Sequence, residues 1–189
     1  MSTYQPLWID GRTVGESIRD AEHRYGMIRE CLEAGKLAVP GFTLLDVGAH
    51  SGYFAVRFAD EMGAVATAVD GEAALKEGMA AMRPVNVAAV MKFLKPGDLH
   101  IFNPMDVGLC LSVLHHVTWW PTMLEEMMEL CRILFVECAM PGENIAKDDA
   151  LLSEQHRAVS SLPGAMLVGH TPGYDPSVDR PLYMIPGRA

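Results

Sequence analysis

Between residues 42 and 138 short apolar runs alternate with segments of helical periodicity, and nothing else in the sequence restricts the fold so tightly. FTLLDV (42–47), AVATAV (64–69, closed by Asp70), VNVAAVMKF (85–93), DVGLCLSVL (106–114) and RILFVEC (132–138) read as strands. Phe54, Phe58 and Met62 recur at helical spacing after the first run. EAALKEGMAAM (72–82) and PTMLEEMMELC (121–131) follow as helices, with Pro121 suited to a first turn, and PGDLHIF reads as a loop or short helix. Strands and helices alternating at this spacing give an α/β fold, a parallel sheet with helices on both faces. Right-handed crossovers leave few topologies.

The ends of the chain depart from that rhythm. LWI-DG-RTV (7–14) is a hairpin signal, with Asp10-Gly11 as a two-residue turn. Ile18, Ala21, Tyr25, Ile28 and Leu32 then define an amphipathic helix stopping near Gly35. Residues 143–160 look helical. AMLVG (165–169) and RPLYMIP (180–186) are strand-like, joined by a ten-residue loop with no room for a helix, so they should pair antiparallel. No repeat or low-complexity linker interrupts the 189 residues, so one domain is expected: a hairpin and cap helix over 1–40, continuous with the main unit over 41–189.

Composition narrows the function classes. The net charge is −9, and the 15 Lys and Arg residues are scattered with no basic stripe, which argues against a nucleic-acid substrate. No apolar run approaches the roughly 18 residues that span a bilayer, and no secretory signal is visible at the start. The four cysteines show no metal spacing and are read as reduced thiols of a cytoplasmic protein. The seven histidines form no H-x-x-x-H pair, and no metal is expected.

The candidate site is LLDVGAHSGYF (44–54): an apolar run ending in Asp46, then a turn carrying Gly48 and Gly52. In an open α/β sheet ligands bind beyond the carboxyl ends of the strands, where strand order reverses. A dinucleotide needs G-x-G-x-x-G, but His50 and Tyr53 occupy the second and third glycine positions, where side chains would displace phosphate oxygens. A ligand with a positive charge, a ribose and no phosphate fits better. Asp46 offers a carboxylate near the turn, and Asp70 at the next strand end can accept from a ribose diol. S-adenosylmethionine meets that description.

DVGAHSGYF with Asp70 downstream resembles the nucleotide-binding signature of class I S-adenosylmethionine-dependent methyltransferases, and LSVLHHV (111–117) is similar to the segment after the fourth strand in small-molecule members. The resemblance implies a Rossmann-like, seven-stranded, mostly parallel sheet of order 3-2-1-4-5-7-6 over about residues 40–186, with the last-numbered strand antiparallel. It implies that Asp46, Gly48 and Gly52, with Ala49 and Tyr53 beside them, line the methionine part of the cofactor. Asp70 would hold the ribose, and Ser112 and Leu114 would flank the sulfonium. The acid that often lies near the adenine has no clear equivalent; Asp98 is the candidate.

Methyl transfer from a sulfonium needs alignment, exclusion of water and a group to take a proton from the nucleophile. His116 and His115, after the fourth strand, are the candidate bases, His116 favoured; Glu137 at the fifth strand end is a further candidate. Trp119 and Trp120 could wall an acceptor pocket. The N-terminal helix, with Arg19, Arg24 and Tyr25, and the loop with Tyr174 and Asp175 are placed to close over the site, while Arg24 and Arg180 also read as surface charges. FNPMD (102–106) lacks the N-P-P-Y pattern of amino-methylating DNA enzymes. The sequence thus reads as a methyltransferase acting on an O or N of a small molecule. The alternatives are a tRNA methyltransferase or a non-catalytic adenosyl-ligand-binding partner protein, and the oligomeric state is left open.

Overall fold

The computed structural model describes residues 4–188 apart from Asn144 and Ala146. The chain opens with a hairpin, β1 (Leu7–Ile9) and β2 (Arg12–Val14), whose turn residues Asp10 and Gly11 both have positive φ, 49° and 72°. That is what a two-residue turn matching strand twist demands. Helix α1 (Ala21–Ala34) starts at Asp20, whose side chain accepts from the His23 N–H, and buries Tyr25, Ile28 and Leu32. The apolar spacing extends back to Ile18, but the cap at Asp20 ends the helix first, and Ile18 is 51% exposed.

β3 (Thr43–Val47), α2 (Tyr53–Met62), β4 (Val65–Asp70), α3 (Ala73–Met82) and β5 (Val87–Met91) follow as the alternation predicts. Then come β6 (Met105–Leu111), α4 (Trp120–Leu130), β7 (Cys131–Glu137), α5 (Asp149–Ser160), β8 (Met166–Pro172) and β9 (Asp179–Pro186). The large sheet has seven strands in the order β5-β4-β3-β6-β7-β9-β8; counted within this sheet alone, that is 3-2-1-4-5-7-6. β5, β4, β3, β6 and β7 run parallel, and β9 pairs antiparallel with both β7 and β8. Strand order reverses between β3 and β6, which opens a crevice beyond their carboxyl ends.

Three boundaries differ from the sequence expectation. β6 stops at Leu111 because Ser112 adopts φ 63°, and Leu114–His116 coil into a 3₁₀ turn. The helix expected from residue 143 begins at Asp149, capped by Asp148; of the intervening residues Asn144 and Ala146 lie outside the described ones. β8 and β9 are longer than their apolar runs and shorten the loop between them.

Side chains alternate across the sheet and build two apolar layers. On one face Leu44, Leu109 and Phe135 pack with Tyr25, Ile28, Phe54 and Phe58 of α1 and α2, and Trp8 of the hairpin joins them. On the other, Leu45, Cys110 and Leu134 pack with Met123, Met127 and Val159 of α4 and α5. By the same alternation Asp46 and Glu137 point to the α1 side. No helix among the described residues is long and apolar enough to cross a membrane.

Candidate active site

Two strand ends build the floor of the site. β3 leaves the sheet at Gly48, at φ 72°, where an added Cβ would sit 2.4 Å from Val113 Cγ2. Only glycine lets this turn meet the end of β6 so closely. The amides of Gly48 and Ala49 both donate to the Val69 carbonyl, tying the turn to β4. At the end of β4 the Asp70 carboxylate accepts from the His50 N–H at 2.7 Å and the Glu72 N–H at 2.8 Å. These bonds fix the carboxylate at the edge of a cavity of about 510 Å³. Its wall includes Gly48, Asp70, Phe93, Ser112, His116 and Trp119. That volume lies in the ~300–1,000 Å³ range of small-molecule sites. Phe93 is 68% exposed and lies over Gly71, leaving its ring available beside the Asp70 end.

Gly48, Asp70, Ser112 and His116 are thus brought together as the sequence implies. Other candidates lie behind the wall. Asp46 is buried at 2% exposure; its carboxyl accepts from the Ala55 N–H in the first turn of α2, and its Oδ2 has no hydrogen-bond partner. Burial, and then the nearby Asp70 charge, push its pKa up to about 7. Gly52 faces Met79 and Leu75 of α3 rather than the cavity, and Ala49 is core. The Tyr53 ring is also core, and its phenol meets Thr13 and Arg57, because residue 53 opens α2 on the hairpin side. Leu114 packs in the α4 layer, and Trp120, the first residue of α4, is core, so Trp119 alone of the pair reaches the cavity. Asp98 pairs with Lys92 at 2.7 Å and accepts from the Lys95 N–H, off the cavity wall.

Glu137 is not free for proton transfer. It is fully buried and accepts from Arg19 Nη2 at 2.9 Å, from Ser112 and from Thr171, with Arg24 Nη1 at 3.6 Å. Burial alone would raise its pKa, but Arg24, Arg19 and the hydroxyl donors hold it below the usual carboxylate range. Arg180 belongs to the same cluster: its guanidinium grips Glu143 with two bonds of 2.6 Å and donates to Ser112 Oγ at 2.8 Å. Arg19, Arg24 and Arg180 are therefore interior residues, at 1%, 0% and 0% exposure, and Arg24 and Arg180 are not the surface charges they read as. Sequence reading misses the cluster because its members lie as far apart as residues 19 and 180. Tyr25 also leaves the acceptor list; its ring packs on Phe58, with centroids 4.5 Å apart. Tyr174 remains near the mouth, stacked on the cavity residue Tyr4, whereas Asp175 closes its own turn with Ser177.

The two histidines separate in position. His115 is 4% exposed, and burial, with His116, Arg180, Lys147 and Arg19 adding positive field, pushes its pKa down to about 2. His116 stands on the cavity wall; burial, Lys147 and Arg180 lower its pKa too. Both shifts favour the neutral imidazole, and of the two only His116 lines the cavity. Among the described residues no group of three or more His, Cys, Asp or Glu side chains is placed to hold a metal.

The donor set suits an adenosyl ligand: a ring for a base, a carboxylate for a diol, and a glycine turn with no phosphate cradle. The mixed α/β fold, with its seven-stranded, mostly parallel sheet, is shared with solved methyltransferase structures. The chain superposes on the bifunctional kinase-methyltransferase WbdD at a TM-score of 0.71 with 17% identity, over 90% of this chain and 40% of that one. It superposes on the N-terminal domain of EvdMO1, crystallised in the presence of SAH and D-fucose, at 0.68 with 14% identity, over 97% of this chain and 90% of that one. It thus spans about two fifths of WbdD and nearly all of the EvdMO1 domain. No family model and no curated protein matches the sequence itself.

Proposed function

We propose that this chain transfers a methyl group from S-adenosylmethionine to a hydroxyl of a small molecule, with His116 as the general base. The observation that carries the proposal is the placement of the Asp70 carboxylate and the neutral His116 imidazole on one cavity. Asp70, already held by two backbone N–H groups, keeps lone pairs for a ribose diol. Gly48 and Ser112 border the methionine part, and Phe93 covers the adenine. When bound, the sulfonium supplies an electrophilic methyl. The chain aligns the acceptor oxygen, excludes water with Trp119 and Met123, and removes the hydroxyl proton at His116. The SAH and D-fucose of the EvdMO1 crystals support the cofactor reading and make hydroxyl-rich sugars the first acceptors to try.

The test is calorimetric titration with SAH, followed by a labelled-methyl assay against sugars and other small hydroxyl compounds. Micromolar SAH binding with turnover on such an acceptor is expected. Tight binding without turnover on any acceptor favours a non-catalytic adenosyl-binding protein, and methylation of tRNA alone overturns the acceptor class. A co-purifying dinucleotide in place of an adenosyl ligand overturns the cofactor.

A further inference from the structure

Glu126, in the second half of α4, is buried at 6% exposure. Its Oε1 accepts from the Gly97 N–H at 2.7 Å, and its Oε2 has no hydrogen-bond partner. A buried acid with one oxygen unserved works against stability, where an apolar side chain of similar size does not. Met123, Met127 and Leu130 already pack α4 on the sheet, so Glu126 is not needed to hold the helix there. What its one bond reaches is a turn on the cavity side. Gly97 stands at φ 87° in the exposed stretch 95–97, just before the 3₁₀ turn Asp98–Ile101. A Cβ there would meet nothing within 4 Å, so backbone angle rather than room calls for glycine. Asp98 closes the loop on itself, accepting from Lys92 Nζ at 2.7 Å and the Lys95 N–H at 2.8 Å. At the loop's start the Lys92 N–H donates to the Asp70 carbonyl at 2.9 Å. Between these ties stand Phe93 and Leu94, both on the cavity wall. The α4 side of the wall is Trp119 and Met123, and Met123 lies three residues before Glu126 on the same helix face.

We propose that Glu126 is a positioning residue: through the Gly97 N–H it sets how far the Phe93–Leu94 stretch of the wall stands from the Trp119–Met123 stretch. The proposal rests on the S-adenosylmethionine reading, because the ligand is what the two stretches enclose. Each tie has its own part. The Lys92 N–H fixes the start of the loop to β4, Asp98 holds its two ends together, and Glu126 fixes the far end to α4. Leu99 follows at 1% exposure and packs in the α4 layer, but apolar packing is non-directional and tolerates sliding. A hydrogen bond is directional, so the Glu126 bond fixes where along α4 the turn sits. Without it the loop keeps its tie to Asp70 and loses its register on the helix that carries Met123.

The experiment is calorimetric titration with SAH and thermal melting of the wild type, Glu126→Met and Glu126→Gln. Methionine keeps the length of the side chain and removes the unserved oxygen, so its melting temperature should equal or exceed that of the wild type. Its SAH affinity should nevertheless fall about 5–20-fold. Glutamine keeps a carbonyl oxygen for the Gly97 N–H and should bind SAH within about threefold of the wild type. Unchanged affinity in Glu126→Met overturns the proposal, and so does a loss that Glu126→Gln does not restore. A melting temperature that falls together with the affinity, or a methionine variant that does not fold, makes Glu126 a structural residue and overturns it too. Amide exchange on the wild type is an independent check: the Gly97 N–H should exchange more slowly once SAH is bound, although Gly97 is off the cavity wall. Exchange at Gly97 that SAH does not alter overturns the coupling. A wild type that binds no SAH overturns the cofactor reading instead, so the two failures are distinct.

Discussion

Arg180 donates from Nη1 to Ser112 Oγ over 2.8 Å, at the residue where β6 leaves the sheet with φ 63°. A non-glycine residue in the left-handed region costs about 1–3 kcal/mol unless its surroundings hold it there. Here the hold is a ring of bonds: the Ser112 hydroxyl donates to Glu137 and accepts from Arg19 and Arg180. Ser112→Ala keeps the strain and removes the oxygen that justifies it, so urea unfolding should show a loss of about 1–3 kcal/mol. Ser112→Gly loses the same bonds but adopts positive φ freely, and should be the milder change. A glycine variant less stable than the alanine variant would show that strain at Ser112 is not what the ring offsets.

Asp46 makes the opposite demand on pH from an ordinary paired carboxylate. Its pKa rises from 3.8 to about 7, so over that range the folded chain binds a proton that the unfolded chain releases. Stability therefore falls as pH rises through this window. Asp46→Asn removes the titration and keeps an oxygen to accept from the Ala55 N–H. Its melting temperature should exceed that of the wild type at pH 8, and the difference should shrink toward pH 4. A melting-temperature difference that does not change with pH would mean that Asp46 stays ionised throughout.

What the sequence disclosed and what it hid divide along a physical line. The strands and helices of residues 42–138 were legible because side-chain period and strand length are local properties. Gly48, Asp70 and Ser112 were legible because each stands at a strand end, and His116 because it lies in the 3₁₀ turn just beyond β6; the topology gathers strand ends. Burial of Arg19, Arg24 and Arg180 was not legible, since an arginine is interior only if distant acceptors meet it; Glu137 is 118 residues from Arg19. The same holds for Glu137, which resembles a free acid at a strand end until the arginines are placed around it. Tyr53 and Gly52 lie within the motif yet serve α2 and α3, because an 11-residue stretch cannot say which of its side chains face inward.

His116 should give the pH–rate profile of a base that is hard to protonate. Burial and the positive field of Lys147 and Arg180 lower its pKa below the ordinary 6.5. The acid limb of kcat should therefore fall below pH 6.5, with a plateau at neutrality. His116→Ala should cut kcat by about 10²–10⁴-fold while SAH affinity changes by no more than roughly threefold. His115→Asn, at a buried position with no cavity contact, should act mainly through stability, lowering the melting temperature more than kcat. If His115 rather than His116 carries the acid limb, the assignment of the base is reversed.

The last prediction concerns a residue far from any reacting atom. Gly78 lies within α3, where alanine is ordinarily favoured by about 1 kcal/mol. An added Cβ here would stand 2.1 Å from the Ser51 carbonyl oxygen, with the Ser51 carbon and Cα at 2.9 and 3.0 Å. The obstacle is backbone, so it does not rotate away; either α3 moves out or the turn 48–52 moves. That turn carries Gly48 and the His50 N–H that orients Asp70. Gly78→Ala should therefore reverse the usual helix preference, destabilise the fold by about 1–3 kcal/mol, and weaken SAH binding although residue 78 touches no ligand. Crystallography or amide exchange should place the change at residues 48–52. Wild-type stability and affinity in the variant would mean that α3 does not press on the turn.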